Sequence, residues 1–244
     1  MMVRGQRCPA FAFLLFLAAS IHAAGPIPIN DPVEGQKLAR ELREMTPTED
    51  ASFKGTLRIF STGIEPRDVP LQMTVDRGNK IWNTTYLARP TNAPQEALSV
   101  NRAYDVATNH YQWQRGKTVV TPSGNFATNS FAGSDFALLD LGLEFFHWPT
   151  QTLAFKEMRK GRGCDVLESR PALPSLYSRV LSWIDQETKG LLMAEAYDTR
   201  GKLLKEFEIK SFKKVGGVYQ LSEMEIRNRQ TKTRTRLQFE FPER

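Results

Sequence analysis

From Ser52 onward apolar side chains recur at every second position, and a period of two belongs to β-strands that bury one face. The last such run is the clearest: Thr233, Thr235, Leu237, Phe239 and Phe241 alternate with Lys232, Arg234, Arg236, Gln238 and Glu240. Earlier, Phe53, Gly55, Leu57 and Ile59 oppose Ser52, Lys54, Thr56 and Arg58, while Leu71, Met73 and Val75 oppose Gln72 and Thr74. Arg77-Gly78-Asn79-Lys80 reads as a hairpin connection into residues 81–87. Further strands are expected near residues 111–113, 151–158, 164–168, 177–184, 191–197, 203–212, 218–227 and 232–241. Turns fall at Gly161-Arg162-Gly163, Asp198-Thr199-Arg200-Gly201 and Gly216-Gly217. One buried face per strand calls for antiparallel pairing and a cover on one side only. About nine to eleven strands and two helical pieces predict a mainly β fold with helices. The expectation is a curled antiparallel sheet forming an incomplete, half-open β-barrel closed by a helical lid.

Helical spacing appears at two places. Asp31-Pro32 is suited to cap and open a helix on which Val33, Leu38, Leu42 and Met45 make an apolar stripe, and Pro47 stops it. Residues 125–133 are polar apart from Phe126 and Phe131, which predicts a mobile surface loop with two aromatic contacts. Ser134 or Asp135 then opens a second helix carrying Phe136, Leu138, Leu139, Leu141, Leu143, Phe145, Phe146 and Trp148 up to Pro149. Apolar residues cover more than one of its faces. Such a helix is a core helix buried on two sides, a lid over a hydrophobic cavity, or a surface for a partner.

The chain begins with Arg4 and Arg7, the apolar stretch Phe11 to Ala19, and small residues ending in Ala23-Ala24. This pattern predicts a signal peptide over residues 1–23, followed by a single domain over residues 24–244 exported to the periplasm. The apolar stretch is short for a membrane span, and Cys8 lies before it, where a lipidated cysteine would have to follow. After cleavage only Cys164 remains, so no internal disulfide forms and the core depends on apolar burial. The formal charge of +6 includes Arg4 and Arg7. The mild basicity that remains fits a solvated surface or one that approaches anionic headgroups.

Little in the chain points to catalysis, and a non-enzyme is expected. His147 sits between Phe146 and Trp148, and His110 lies near Tyr111 and Trp113, with no matched nucleophile for either. Cys164 has no Cys-x-x-Cys partner or metal-ligand spacing, and no phosphate-binding glycine loop occurs. No metal or cofactor is therefore expected. Lys232, Arg234 and Arg236 share one strand face, which suits a solvated exterior, a phosphate or headgroup contact, or a membrane partner. Aromatic residues do not interleave with these charges, so no nucleic acid is expected.

The second half resembles the outer-membrane lipoprotein-sorting family, the LolA-like group of periplasmic carriers. The matching landmarks are Gly133-Ser134-Asp135-Phe136 with Asp140, Cys164-Asp165-Val166-Leu167-Glu168 with Pro171, and Tyr177 through Val180 to Trp183-Ile184-Asp185. Glu195-Ala196-Tyr197-Asp198 with Gly201-Lys202, Met224-Glu225-Ile226-Arg227-Asn228, and Thr231 to Thr235 follow. The resemblance implies an incomplete barrel with an apolar concave side that holds acyl chains. It implies a monomer that takes an acylated lipoprotein or lipid from an inner-membrane exporter to an outer-membrane acceptor. On that expectation Phe207, Ile209, Ile226, Leu237 and Phe239 form the lipid-binding wall, and Phe136, Leu139, Leu143 and Phe146 form the lid. The alternative is an envelope sensor or scaffold that uses the same fold, packed shut, to bind a protein.

Overall fold

The alternation is realised as thirteen strands in one antiparallel sheet. The computed structural model describes residues 27–103, 108–121, 127–215 and 218–241; the expected signal peptide, Phe126 and Gly216-Gly217 lie outside them. The first six strands are β1 (Ala51–Ser61), β2 (Ile64–Arg77), β3 (Ile81–Ala88), β4 (Glu96–Ala103), β5 (Asn109–Arg115) and β6 (Thr118–Val120). Seven more follow: β7 (Thr150–Arg159), β8 (Arg162–Arg170), β9 (Arg179–Asp185), β10 (Leu191–Tyr197), β11 (Leu203–Val215), β12 (Val218–Asn228) and β13 (Thr233–Glu240). Each half is a meander of neighbouring strands. The two halves meet where β1 pairs with β13, in a register that sets Leu57 opposite Leu237 and Gly55 opposite Phe239.

The strand order runs from β6 at one edge to β7 at the other, and these edges are not paired with each other. The expected curled half-barrel closed by a lid is therefore wrong: the sheet is open and uncurled. A one-faced strand requires only that its apolar face be covered. Here a second layer supplies that cover, made of α1 (Pro32–Glu44) and the chain between β6 and β7. That connection starts at one edge of the sheet and ends at the other, so it must cross the inner face. The sequence reading also passed over β4, where Pro90 and Pro94 break the alternation just before it, and the three-residue β6.

Helix α1 begins as expected. Asp31 accepts hydrogen bonds from the backbone N–H groups of Val33 (2.9 Å) and Glu34 (3.0 Å), and Pro32 occupies the first turn, where its missing N–H costs nothing. Its buried stripe, however, is Gly35, Leu38 and Ala39; Val33 and Met45 face solvent. The second expected helix is absent as such. Residues 134–148 contain only the short α2 (Leu138–Leu141) and a 3₁₀ turn at Glu144–His147, divided by Leu143 in the left-handed region at φ 49°. Phe131, expected in a surface loop, is fully buried beside Leu57, Leu98 and Leu237. Among the described residues no helix is long and apolar enough to cross a membrane.

Candidate functional site

The inner face carries two joined apolar clusters. One gathers β1–β5, β12 and β13 around Phe131, Phe136 and Leu138; the other gathers α1 and β8–β10 around Leu139, Phe145 and Phe146. Strand β10 contributes Ala194 and Ala196, and these small side chains leave space between the sheet and the covering segment. The space is a cavity of about 40 Å³ bounded by Phe136, Leu143 and Phe145 above and by Val180, Phe207 and Ile226 on the sheet.

Of the predicted wall, Phe207 and Ile226 line this cavity and are register partners on β11 and β12. Leu237 is fully buried and Phe239 half-buried in the adjoining cluster, and Ile209 is buried further along β11. Of the predicted lid, Phe136 and Leu143 line the cavity, while Leu139 and Phe146 pack beside it near α1.

Sequence reasoning missed the polar fastenings of this segment. At Asp140 the carboxylate accepts from Tyr177 Oη at 2.8 Å, Lys205 Nζ at 3.1 Å and the Ala137 backbone N–H at 2.8 Å. The Lys205 and Asp140 side chains are only 9% and 12% exposed, so the pair sits among apolar residues, where each charge depends on the other. Burial, and then the Asp140 carboxylate, push the Tyr177 hydroxyl well above its usual range, so it stays a donor. Lys205 belongs to the same strand face as Phe207 and Ile209, but its lone charge within an apolar run gave no hint of a partner on a distant segment.

A second fastening lies one turn on. Glu144 accepts from Tyr111 Oη (2.8 Å) and Asn109 Nδ2 (2.7 Å), and Arg102 donates to the Gly142 carbonyl at 2.5 Å and to Asn109 Oδ1 at 2.7 Å. Gly142 is required here because a Cβ at that position would run into the Tyr111 hydroxyl. Nearer the start of the segment, Asp135 accepts from Thr233 (2.5 Å) and Thr235 (2.9 Å) on β13. Glu96 accepts from the Ala132 backbone N–H at 3.0 Å. Carboxylates thus tie the covering segment to the sheet at successive points along its length.

Glu144 makes this attachment depend on pH. Burial raises its pKa above the ordinary value, against the opposing hydrogen bonds from Tyr111 and Asn109 and the charge of Arg102. A carboxylate with a raised folded-state value favours the docked segment most when protonated, and that contribution fades as pH rises through the folded value. Hydrogen-exchange protection of residues 138–147 is therefore expected to increase as pH falls from neutral toward the ordinary carboxylate range of about 4.3. The Glu144→Gln variant should show a flat profile; an unchanged pH dependence in that variant would assign the effect elsewhere.

Among the described residues no group of three or more His, Cys, Asp or Glu side chains is placed to hold a metal ion. Cys164 is buried, and burial raises its thiol pKa. His110 is exposed on β5, between the buried Asn109 and Tyr111.

Among solved structures, the chain is similar to a putative outer membrane lipoprotein-sorting protein domain from Vibrio parahaemolyticus. The TM-score is 0.71 at 20% identity, over 86% of this chain and 92% of that one. A DUF1329 family protein from Desulfovibrio piger matches with a TM-score of 0.70 at 21% identity, over 86% and 92%. A LolA superfamily protein from Nitrosomonas europaea matches at 0.60 and 16% identity, over 85% and 91%. At such identities the likeness is one of fold, and a LolA-superfamily-like fold extends over most of the chain. No curated protein matches the sequence. Residues 113–243, more than half of the chain, match the model of an "Uncharacterized protein"-like family, and the chain belongs to that family.

Proposed function

We propose that this protein is a non-catalytic periplasmic carrier that takes an acyl chain of a lipoprotein or lipid between its sheet and the segment over residues 130–148. The observation that carries this reading is the mainly apolar cavity bounded by Phe136 and Leu143 on one side and by Phe207 and Ile226 on the other, with the paired Asp140 and Lys205 also in its lining. At about 40 Å³ it is a closed state, since pockets that enclose whole ligands run to about 300–1,000 Å³. An acyl chain enters by displacing the covering segment and taking over its apolar contacts. Each CH₂ removed from water contributes about 0.8 kcal/mol, and the lost contacts and fastenings offset part of that gain. The binding is then reversible, as a carrier requires. The fold likeness to a protein described as lipoprotein-sorting supports the same reading.

Native mass spectrometry of the protein purified from an envelope fraction, followed by lipid extraction, tests it directly. A bound acylated species is the expected result. In a titration with a fluorescent fatty-acyl probe, Ala194→Leu is expected to fill the cavity and weaken uptake by about tenfold or more. The small size of the cavity favours one other reading, an envelope scaffold with a filled interior. A protein that carries no lipid and takes up neither acylated peptide nor phospholipid would establish that alternative.

A further inference from the structure

On the far side of Leu143 and Leu191 from the cavity lies a recess of about 240 Å³, and these two leucines line both spaces. Leu42 and Phe146 give the recess apolar walls, while Arg43, Arg102 and Lys189 bring positive charge to it from α1, β4 and the turn before β10. Among the described residues no carboxylate lines it.

The two guanidinium groups are part-buried and held by neutral acceptors. Arg43 donates to the Phe146 carbonyl at 2.7 Å. Arg102 donates to the Gly142 carbonyl and to Asn109, and lies 4.6 Å from the centre of the Trp82 ring. Glu144 bears on Arg102, but its hydrogen bonds are taken by Tyr111 and Asn109. Lys189 alone has a carboxylate within ion-pair reach, Glu41 at 3.7 Å, and both of those groups are substantially exposed. Carbonyl oxygens satisfy N–H groups without supplying a counter-charge, so the recess has a net positive field inside apolar walls. Burial, and then the neighbouring Arg40, pull Arg43 below its ordinary value against the opposing charge of Glu44. Guanidinium groups fixed in this way match the oxygen pairs of a carboxylate or phosphate. Leu143, which lines both spaces, holds a left-handed backbone conformation that leucine adopts at a cost.

We propose that this recess is a headgroup site and that the cargo is an acyl amphiphile with an anionic headgroup, whose chain passes Leu143 into the apolar cavity. The inference rests on the carrier reading and narrows it, because an acylated peptide with an uncharged amino terminus would leave the cations without a partner.

The test compares ligands of equal chain length, each below its micelle-forming concentration, by calorimetric titration of the full mature protein. Oleate is paired with methyl oleate, and lysophosphatidylglycerol with lysophosphatidylcholine. The expected result is that one or both anionic ligands bind at least about tenfold more tightly than their partners. Which anionic ligand prevails distinguishes a carboxylate from a phosphate headgroup. In Arg43→Gln combined with Lys189→Gln that preference should collapse while affinity for the uncharged and zwitterionic ligands holds. Arg43→Lys, which keeps the charge, should retain most of it. Equal binding of charged and uncharged chains would overturn the headgroup site and leave the carrier reading standing. Preference that survives in the double variant would place charge recognition elsewhere. Binding of none of the four would overturn both.

Discussion

Replacing Lys205 with alanine is expected to destabilise the protein by about 3–5 kcal/mol, the range for removing one member of a buried ion pair. The cost comes chiefly from what is left behind. Asp140 keeps its hydrogen bonds from Tyr177 and the Ala137 backbone, but its charge then shares a cavity with Phe136, Leu143 and Phe145 and has lost the cation paired with it. Those remaining bonds place the loss toward the lower end of the range. The lost aliphatic stem adds to it, because Lys205 shares its strand face with Phe207 and Ile209. Denaturant unfolding measures the size of the effect, and hydrogen exchange locates it: protection should fall first over residues 137–147. Combining Lys205→Met with Asp140→Asn removes both charges and should recover much of the stability, because a neutral amide costs far less to bury. If the single variant were as stable as the parent, the covering segment would owe nothing to this pair.

Gly35→Ala is expected to lower stability by about 3 kcal/mol, opposite in sign to what helix propensity predicts. Within a helix, alanine is favoured over glycine by about 1 kcal/mol, so an exposed Gly35 would make this a stabilising change. In the structure a Cβ at Gly35 falls 2.5 Å from Thr152 Cα and 2.6 Å from Leu153 N. Both are backbone atoms of the edge strand β7, which is held to the start of α1 through paired hydrogen bonds between Asp31 and Leu153. No side-chain rotation relieves such an overlap. The helix must lift away, and with it the packing of Leu38 and Ala39 against Phe145 and Phe146. Thermal unfolding decides the matter by sign alone: a raised melting temperature would show that α1 does not seat on β7 at this residue.

The strands were legible because their signal is local. Thr233, Thr235, Leu237 and Phe239 do face the interior, and Lys232, Arg234 and Arg236 do not, since alternation is a property of consecutive residues in extended backbone. The opening of α1 was legible for the same reason: Asp31 and Pro32 act on the backbone within three residues of themselves. Phe136 and Leu143, expected in a lid, and Phe207 and Ile226, expected in a wall, line one cavity.

What depends on residues far apart in the chain was decided only by the tertiary structure. The pairing of β1 with β13 joins the two halves of the sheet, and no local pattern records it. An alternating strand states that one face needs cover without stating what provides it, so the second layer over an open sheet was read as curling. Residues 134–148 look helical because Leu and Phe dominate them, yet Gly142 admits Tyr111, Leu143 turns left-handed, and Asp140 and Glu144 reach to strands on either side. Local propensity there is worth tenths of a kcal/mol per residue, and buried ion pairs, hydrogen bonds and apolar contacts outweigh it. The positive recess has the same origin, because Arg43 and Arg102 stand 59 positions apart in the chain and converge only when α1 and β4 enclose the same segment.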